Sequence, residues 1–535
     1  MKKNLYAFLL LVLYGMNVWG QPNERVHVQT DKDFYLSGET MHLTVRTLGT
    51  DSSPLHMSKV VYVELLGNAS NAVRMKIELD EGRGGAVITL PYMLSSGVYE
   101  LVAYTRWMRN EGEQVFFRRP IGIYNSLSYS PETDKLVFED GLPVQGEESS
   151  TGMTLRTDKP VYGNREKVSL SFPDFPKNAS VSVSVVRQDV SLSAKDREAY
   201  AAISRNFDKK ESVRFTPEME GMIVEARYAG NSPDEKVLLP NLSIKGKEFH
   251  YYPGKDVGNG IYQFFTPTLS GMKEVVTGVE TNGRMELISP FVATAPEALQ
   301  PLHLDKNHER LLLERSMAVQ IGRFYPADSV VRKEVPGIFL PKPQFSYDLD
   351  DYRRFPTFAE TFLEFIPWVS TARKGDGKAI TIFDEMTGKS NHGNTLVMLD
   401  GVVIMNHESL LKYNPYFVKW VDIYVGKYVF ANQMYEGIIT FRTPNHWMPS
   451  FQLTENSLVQ EYEGVLAQQT YLQPTWKKST FPDFRHTLYW NPDVNPKDAT
   501  LECWTSDLCG IYIVKAEGRT PDGQIIQGYT TFEVK

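Results

Sequence analysis

An internal repeat constrains the fold of this chain more than any other sequence feature. Two stretches share the same spacing of Thr-Asp-Lys, Tyr, Glu and Leu: Thr30, Asp31, Lys32, Tyr35, Glu39 and Leu43 in one, and Thr157, Asp158, Lys159, Tyr162, Glu166 and Leu170 in the other. Each residue of the second stretch lies 127 positions after its counterpart. This offset exceeds the roughly 20–50 residues of solenoid repeats. The sequence therefore predicts a duplicated domain.

A second recurring unit is Gly-x-Tyr followed by alternating apolar residues. It occurs at Gly97-Val98-Tyr99 and Gly510-Ile511-Tyr512, and more loosely at Gly260-Ile261-Tyr262. The glycine ends a turn, and the period-2 alternation places one face of a strand against a core. Regularly spaced strands of this kind are typical of β-sandwiches.

The composition narrows the class of protein. The chain has 535 residues, a formal net charge of −8, and 28 Tyr and 28 Phe. Its length allows about three to five domains, and its aromatic residues and frequent turns favour strands. The negative charge argues against a nucleic-acid partner, which would select a basic face. Because no stretch beyond the N-terminus approaches ~18 consecutive apolar residues, we expect no transmembrane segment, although peripheral membrane association is compatible with the sequence.

The first twenty residues have the layout of a secretory signal peptide. Lys2 and Lys3 precede an apolar run at residues 5–16, and small residues stand near a cleavage point after Gly20. The run is too short to cross a bilayer of about 30 Å. The sequence therefore predicts export, with an uncleaved amphipathic start as the alternative.

These patterns predict a mainly β protein with tandem Ig- or fibronectin-like sandwiches and one α+β domain. The predicted segments are a signal peptide at 1–20, a first sandwich at 21–127, a second at 153–218, a further β-unit at 219–292, an α+β domain at 300–445 and a small C-terminal sandwich at 484–535.

The repeat resembles the opening of macroglobulin-type domains of the alpha-macroglobulin superfamily. Residues 30–39 match the pattern Thr-Asp-Lys-x-x-Tyr-x-x-Gly-Glu, and the second copy departs from it where Arg165 replaces the glycine. The resemblance covers about 200 residues and implies fibronectin-like sandwiches. It does not imply covalent trapping of proteases, because neither Cys503 nor Cys509 has a glutamine in the arrangement that a thioester needs.

A later stretch resembles the plug domain of TonB-dependent outer-membrane receptors. About 90 residues match in order, beginning with an early helix near 357–365. The residues that mark the match, taken as structural markers, are Leu399, Asp400, Gly401, Asn414, Pro415, Gly437, Ile438 and Thr443. The resemblance implies that Asp400 and Gly401 form a tight turn between strands.

We expect this plug-like domain to lack the barrel of such receptors. Only ~90 residues come after it, too few for a barrel of about 22 strands. The chain is similar to envelope proteins that combine macroglobulin-type domains, a carboxypeptidase-regulatory-like β-unit (here 219–292) and a plug-like domain. The resemblance implies a Gram-negative periplasmic or outer-membrane-associated location. It also implies a protein partner at the outer membrane, with a TonB-dependent transporter as one candidate.

The two cysteines leave two interpretations open. Export permits a disulfide between Cys503 and Cys509. Because bridged Cα atoms lie within roughly 7 Å of each other, this bond would require a chain reversal at residues 505–508. Two buried free thiols are the alternative.

No catalytic template fits the sequence. His407 and Glu408 lack the second histidine of a zinc-protease helix. His303 and His308 flank Asp305 at a helix start, which is a poor metal-ligand spacing. We therefore predict no catalytic residue, no metal site and no cofactor.

The leading hypothesis is a non-catalytic exported envelope protein that docks onto outer-membrane transport or secretion machinery. One alternative is a periplasmic or surface protein that binds a glycan or peptide. The other is a hydrolase whose site is assembled from distant residues.

Overall fold

The computed structural model describes residues 23–50, 53–68, 72–142, 150–176, 179–205, 207, 215–230, 237–324, 340–374, 377–384, 388–390, 394–431, 433–466, 482–494, 500–520 and 523–535. The predicted signal peptide at 1–20 lies outside them. Two compact units divide the chain: Met1–Met219, Ala293–Arg332 and Leu466–Lys535 form the first, and Glu220–Val292 and Lys333–Val465 form the second. With 48% strand and 12% helix, the predicted mainly β fold class is confirmed. None of the described helices is long and apolar enough to cross a bilayer.

A β-sandwich opens the first unit. Its eight strands, β1 to β8, are Glu24–Thr30, Phe34–Leu36, Thr40–Gly49, Val60–Leu66, Ala72–Glu78, Arg83–Thr89, Gly97–Tyr104 and Phe117–Tyr124. Two 3₁₀ turns, Trp107–Asn110 and Glu113–Val115, connect β7 to β8. The strands form one sheet in the order β1-β3-β6 and another in the order β2-β8-β7-β4-β5. Among these pairs β2 and β8 are parallel.

The chain then starts a second sandwich in the same unit. Strand β9 is Leu136–Glu139, and β10 to β13 are Arg156–Thr157, Val161–Tyr162, Lys167–Ser171 and Ser180–Arg187. Serine and valine alternate along β13, so Val181, Val183 and Val185 all point into one core. Helix α1, Ala194–Ala201, is capped by Ser193, whose hydroxyl accepts a hydrogen bond from the Asp196 N–H.

The second unit begins with another sandwich. Its strands β14 to β20 are Met222–Ala229, Asn241–Ile244, Tyr251–Pro253, Lys255–Gly258, Ile261–Thr266, Met272–Gly278 and Arg284–Leu287. One sheet has the order β17-β18-β14-β20, and β16, β15 and β19 lie in the other. The next elements belong to the first unit. There, β21 (Leu302–Asp305) pairs in parallel with β9, and a 3₁₀ turn, Lys306–His308, leads into helix α2, Glu309–Phe324.

An α+β region comes next in the second unit. Strands β22 to β29 are Phe345–Asp348, Val369–Lys374, Gly377–Asp384, Lys389–Ser390, Leu396–Leu399, Val402–Val403, Trp420–Phe430 and Gln433–Arg442. Helices α3 and α4 are Phe358–Phe365 and His407–Leu411, and the 3₁₀ turns are Leu349–Asp351 and Pro415–Phe417. The main sheet has the order β22-β28-β29-β26-β27, and β23-β24-β25 form a smaller one. Strand β30, Ser457–Glu463, then pairs with β19 and completes the four-stranded sheet of the preceding sandwich.

The last four strands complete the second sandwich of the first unit. They are β31 to β34: Thr487–Val494, Thr500–Trp504, Gly510–Arg519 and Ile525–Val534. The two sheets, β10-β12-β32 and β11-β34-β33-β13-β31, repeat the strand order of the first sandwich strand for strand. The parallel pair recurs as well, with β11 and β34 in place of β2 and β8. The two sandwiches therefore share one topology, as the repeat predicts.

The structure departs from the predicted domain boundaries. The segments 153–218 and 484–535 are not separate sandwiches, because β13 pairs with both β31 and β33 in one sheet. The intervening 188–486 stretch is an insertion at the position where the first sandwich has only the short β4–β5 connection. The Arg187 N–H donates to the His486 carbonyl at 2.9 Å, so the insertion leaves and re-enters at one place. The predicted 300–445 domain also divides, since β21 and α2 belong to the first unit.

Candidate functional site

The duplicated motif makes the same hydrogen bonds in both sandwiches. The Tyr35 hydroxyl donates to Asp31 Oδ1 at 2.6 Å, and the Tyr162 hydroxyl donates to Asp158 Oδ1 at 2.7 Å. The two glutamates also act alike, because each accepts a backbone N–H from the residue three positions earlier: Leu36 for Glu39 at 3.0 Å, and Gly163 for Glu166 at 2.7 Å. The repeated residues therefore brace a turn, which accounts for their recurrence without a catalytic role.

The two copies differ at the glycine position of the motif, which is Gly38 in the first copy and Arg165 in the second. Gly38 has φ +89° and its counterpart Arg165 has φ +54°, so both copies require left-handed backbone at this turn. An L-residue adopts that conformation at a cost of roughly 1–2 kcal/mol. Arg165 offsets part of this cost by a bidentate pair with Asp507, with Nε–Oδ1 and Nη2–Oδ2 distances of 2.7 and 2.6 Å.

The Gly-x-Tyr units at 97 and 510 are equivalent too. Tyr99 on β7 donates its hydroxyl hydrogen to the Ser95 carbonyl at 2.9 Å. Tyr512 on β33 donates to the Leu508 carbonyl at the same distance. In both cases the acceptor lies four residues upstream, so the tyrosine fastens the loop that enters its strand. The shared Gly-x-Tyr unit is therefore a sequence signal that could have assigned 510–534 to the duplicated domain instead of to a separate C-terminal sandwich.

The first copy of the motif carries an additional buried ionic cluster. Helix α2 inserts Arg315, which is 1% exposed, between two carboxylates. Its Nε and Nη2 donate to Glu39 Oε1 and Oε2 at 2.6 and 2.8 Å, and its Nη1 donates to Asp189 Oδ1 at 2.8 Å. His486 faces the other oxygen of Asp189, with an Nδ1–Oδ2 distance of 3.1 Å. The cluster thus gathers residues from four distant segments of the first unit.

The charges in this cluster stabilise one another. Burial by itself raises the pKa of Glu39, but Arg315 and Lys32 more than offset it and hold the pKa at about 2. Burial likewise opposes ionisation of Asp189, and Arg315 and His486 bring its pKa well below the usual range. Burial lowers the pKa of His486, so this imidazole is neutral at pH 7. Arg315 and its two carboxylates therefore stay ionised in the core.

Sequence reasoning missed Arg315, Asp189 and His486 altogether. No short motif contains them, since they lie at positions 189, 315 and 486. One signal was available: Leu312, Arg315 and Ser316 lie on one face of α2 and are all buried. An arginine on the otherwise buried face of an amphipathic helix predicts a buried carboxylate partner.

Among the plug-like markers, the structure brings Asp400 and Thr443 together. Asp400 is fully buried at the β26–β27 turn with φ +46°. Its Oδ1 accepts from Thr443 N at 2.7 Å, and its Oδ2 accepts from Thr443 Oγ1 at 2.7 Å and Met448 N at 2.9 Å. The carboxylate therefore fastens the segment after β29 to the turn between β26 and β27.

The remaining markers also have local structural roles. A Cβ on Gly401 (φ +80°) would lie 2.6 Å from the Ile244 carbonyl oxygen, and one on Gly437 (φ +150°) would lie 2.7 Å from Ile382 Cδ1. Asn414 caps the 3₁₀ turn that starts with Pro415, and its Oδ1 accepts from Tyr416 N at 2.9 Å. Leu399 and Ile438 are completely buried on the parallel strands β26 and β29.

We expect the substitution Asp400→Ala to lower the free energy of unfolding by about 3–5 kcal/mol. It removes three hydrogen bonds, leaves buried donors without partners and places alanine at positive φ. Urea unfolding of the full chain measures the loss. Asp256→Ala is the control, because Asp256 lies on the exposed strand β17 and its carboxylate accepts a local hydrogen bond from Gly258 N. Equal stabilities of the two variants would show that the buried carboxylate is dispensable.

The α+β region also presents a strip of half-buried aromatic side chains at its edge strand. The aromatic strip consists of Phe345, Tyr347, Tyr352, Phe355, Phe365 and Trp368. Phe345 stacks on Trp368 with ring centroids 4.0 Å apart, and Tyr352 stacks on Phe365 at 4.5 Å. Tyr352 is 40% exposed. Strand β22, which carries Phe345 and Tyr347, pairs only with β28 within the described part of the chain.

The other candidate residues are dispersed. Cys503 is buried and Cys509 is exposed, and both are free thiols, so neither interpretation of the cysteines holds in full. Burial raises the pKa of Cys503 to about 12, which makes that thiol a poor nucleophile at neutral pH. The side chain of His303 pairs with Asp196, with an Nδ1–Oδ1 distance of 2.6 Å. Within the described ranges no group of three or more His, Cys, Asp or Glu side chains is arranged to hold a metal ion.

Comparison with known proteins adds distant structural likeness. No family model and no curated protein matches the chain. Salmonella alpha-2-macroglobulin reacted with methylamine matches at 10% identity and a TM-score of 0.23, over 97% of this chain and 40% of that one. Escherichia coli alpha-2-macroglobulin activated by porcine elastase matches at 9% identity and a TM-score of 0.23, over 96% of this chain and 44% of that one.

An adhesin matches over a shorter stretch. The Escherichia coli adhesin FdeC is 12% identical with a TM-score of 0.15, over 49% of this chain and 64% of that one. By comparison, this chain spans less than half the length of the macroglobulins that it matches.

Proposed function

We propose that this chain is a non-catalytic exported envelope protein that docks an outer-membrane protein through the aromatic strip. The observation that carries the proposal is the position of the strip at β22. An edge strand offers unpaired backbone N–H and C=O groups, and an extended segment of a partner can add to it as a further strand. Aromatic side chains beside the edge supply the apolar contact area that dominates protein interfaces.

The chemistry of the conspicuous residues also favours binding over catalysis. The repeated Asp, Tyr and Glu residues and the Asp400–Thr443 pair are engaged in hydrogen bonds that hold turns together. The partner that we propose is an outer-membrane transporter, as the plug-like order of residues 396–443 suggests. An export signal at 1–20 would place the chain in the same compartment.

Site-specific photocrosslinking tests this proposal. A benzophenone amino acid replaces Tyr352 in the strip or, as the control, Tyr129 of the first unit, which is 67% exposed. In envelopes of the producing cell, we expect position 352 and not position 129 to crosslink to an outer-membrane barrel protein. The double substitution Phe345→Ser and Trp368→Ser should abolish this product.

Three outcomes would contradict docking at this strip. They are equal crosslinking at both positions, a product that survives the double substitution, and no outer-membrane protein in the product. A rise in thermal stability with a soluble glycan or peptide, in the absence of such a product, would favour the ligand-binding alternative.

A further inference from the structure

The first sandwich has a connection between two strands that is longer than its counterpart in the second sandwich. Residues 105–116 join β7 to β8, whereas residues 520–524 join the equivalent strands β33 and β34. The longer connection, called the 105–116 loop, is firmly held. Met108 is completely buried, and Glu111 accepts two hydrogen bonds from Arg25 of β1 at 2.7 and 2.8 Å. Because the second sandwich has the same strand order with the shorter connection, the fold does not require this loop.

The 105–116 loop binds residues 215–218 of the same unit, which form neither helix nor strand. The Asn110 side chain contacts the backbone of Phe215 twice: its Nδ2 donates to the Phe215 carbonyl at 2.9 Å, and its Oδ1 accepts from the Phe215 N–H at 2.8 Å. In a β-sheet a neighbouring strand makes this pair of bonds, so Asn110 takes the place of a strand. The guanidinium groups of Arg109 and Arg106 lie over the Phe215 ring, 3.9 and 5.4 Å from its centroid, as cation–π contacts do.

An acidic side chain three residues further on is bound as well. Glu218 is 1% exposed, and both of its carboxyl oxygens accept from the Tyr62 hydroxyl at 3.0 Å. The Glu218 carbonyl accepts from Lys59 N at 2.7 Å. Thr216 and Met219, in contrast, are exposed. The contacts therefore distinguish two positions of the segment, an aromatic residue and an acidic residue three positions later, as sites for short linear peptides do.

We propose that the 105–116 loop is a peptide-recognition site that residues 215–218 occupy within the chain. Its external ligand is an exposed segment of a partner protein with an aromatic residue followed three positions later by Asp or Glu, which displaces residues 215–218. The shorter connection in the second sandwich supports this proposal, because it shows that the loop does not serve the fold. Residues 215–218 belong to no strand, so their replacement breaks no backbone ladder. The site is separate from the aromatic strip, and its failure would leave that proposal unaffected.

Binding of a labelled synthetic peptide tests the proposal. The peptide is acetyl-Phe-Thr-Pro-Glu-Met-amide, the sequence of residues 215–219, and the receptor is the full chain with Phe215→Ala and Glu218→Gln, which removes the internal competitor. Fluorescence anisotropy should show saturable binding to this receptor. The wild-type chain should bind the peptide at least fivefold more weakly, because its own segment competes at a high effective concentration. Binding to neither chain, or equal affinity for both, would overturn the proposal.

Amide exchange in the wild-type chain measures the displacement without any substitution. At a peptide concentration well above the Kd, exchange of the Phe215 amide should become at least fivefold faster, because Asn110 no longer accepts its hydrogen. An unchanged exchange rate would show that the internal segment is never displaced and would overturn the proposal.

Matched controls separate recognition from general adhesion. Alanine in place of the peptide's phenylalanine, or glutamine in place of its glutamate, should each weaken binding about fivefold on the same folded receptor. In the receptor, Arg109→Ala should weaken binding about fivefold. Arg310→Ala should leave the Kd unchanged, because Arg310 is an exposed arginine of α2 that pairs with Glu314. Equal affinities for the three peptides, or equal Kd values for the two arginine variants, would contradict recognition by the loop.

Discussion

Removal of residues 484–535 is expected to unfold the second sandwich completely. The deletion takes away β31 to β34, and with them about half of the buried core around Val183 and Val185. Each buried apolar side chain of this size contributes about 1.5–3 kcal/mol, so the loss exceeds the ~5–15 kcal/mol that stabilises a typical domain. Hydrogen exchange with mass spectrometry should show unprotected amides in β13 and retained protection in β4 of the first sandwich.

A point variant makes the same test without truncation. Phe532 on β34 packs against Tyr512 and Tyr162, with ring centroids 5.5 and 5.1 Å apart. Phe532→Ala should cost about 3–5 kcal/mol and should lower amide protection in β12 and β13 as well as in β34. Full protection of β13 in both altered chains would mean that 153–218 folds without the C-terminal strands, as the sequence predicted.

The second large effect is expected at Arg315. Arg315→Met should lower the free energy of unfolding by about 3–5 kcal/mol at pH 7, because it removes the guanidinium group that pairs with the buried carboxylates of both Glu39 and Asp189. Arg310→Met on the same helix is the control. Arg310 is 87% exposed and pairs with Glu314, so its loss should change stability by no more than about 0.5 kcal/mol.

The pH dependence of this difference has a definite sign. In the wild-type chain the depressed pKa of Glu39, about 2, contributes stability that is present above pH ~4.5 and is lost as the pH falls towards 2. Without Arg315, burial raises the pKa of Glu39, so the carboxyl group is protonated more readily. The gap between wild type and Arg315→Met should therefore be largest near pH 7 and smaller at pH 4. Chemical unfolding at both pH values checks this, and a constant gap would contradict the ionic origin of the effect.

The parts of the fold that could be predicted depend on local patterns. The 127-residue repeat indicated the duplication, and alternation at residues such as Val181, Val183 and Val185 indicated strands. The pairing of β13 with β31 and β33 could not be predicted, because about 300 residues separate the partners and alternation says nothing about which strands pair. The Gly-x-Tyr units indicate only that β7 and β33 correspond, since Tyr99 and Tyr512 occupy the same position in the two sandwiches.

The candidate sites also combine local features that the sequence indicates with contacts between distant segments that it does not. The turn at Asp400 and Gly401 was expected from the resemblance to plug domains, and both residues have the positive φ that Asp and Gly tolerate. The three hydrogen bonds that the Asp400 carboxylate accepts from Thr443 and Met448 were not predictable. Nor was the pairing of Arg315 with Glu39 and Asp189. Tertiary packing alone creates these contacts, and the residues involved carry no common spacing.

The insertion within the second sandwich sets an order of events during synthesis. The first sandwich has all its strands once the chain has emerged as far as Tyr124, whereas the second must wait for Val534. Until then, β13 has neither of its neighbours and presents a hydrophobic strand with two open edges, the kind of segment that seeds aggregation. The half-made domain is therefore a natural client for a holdase chaperone, and slower synthesis of 188–486 should lengthen its dependence on one.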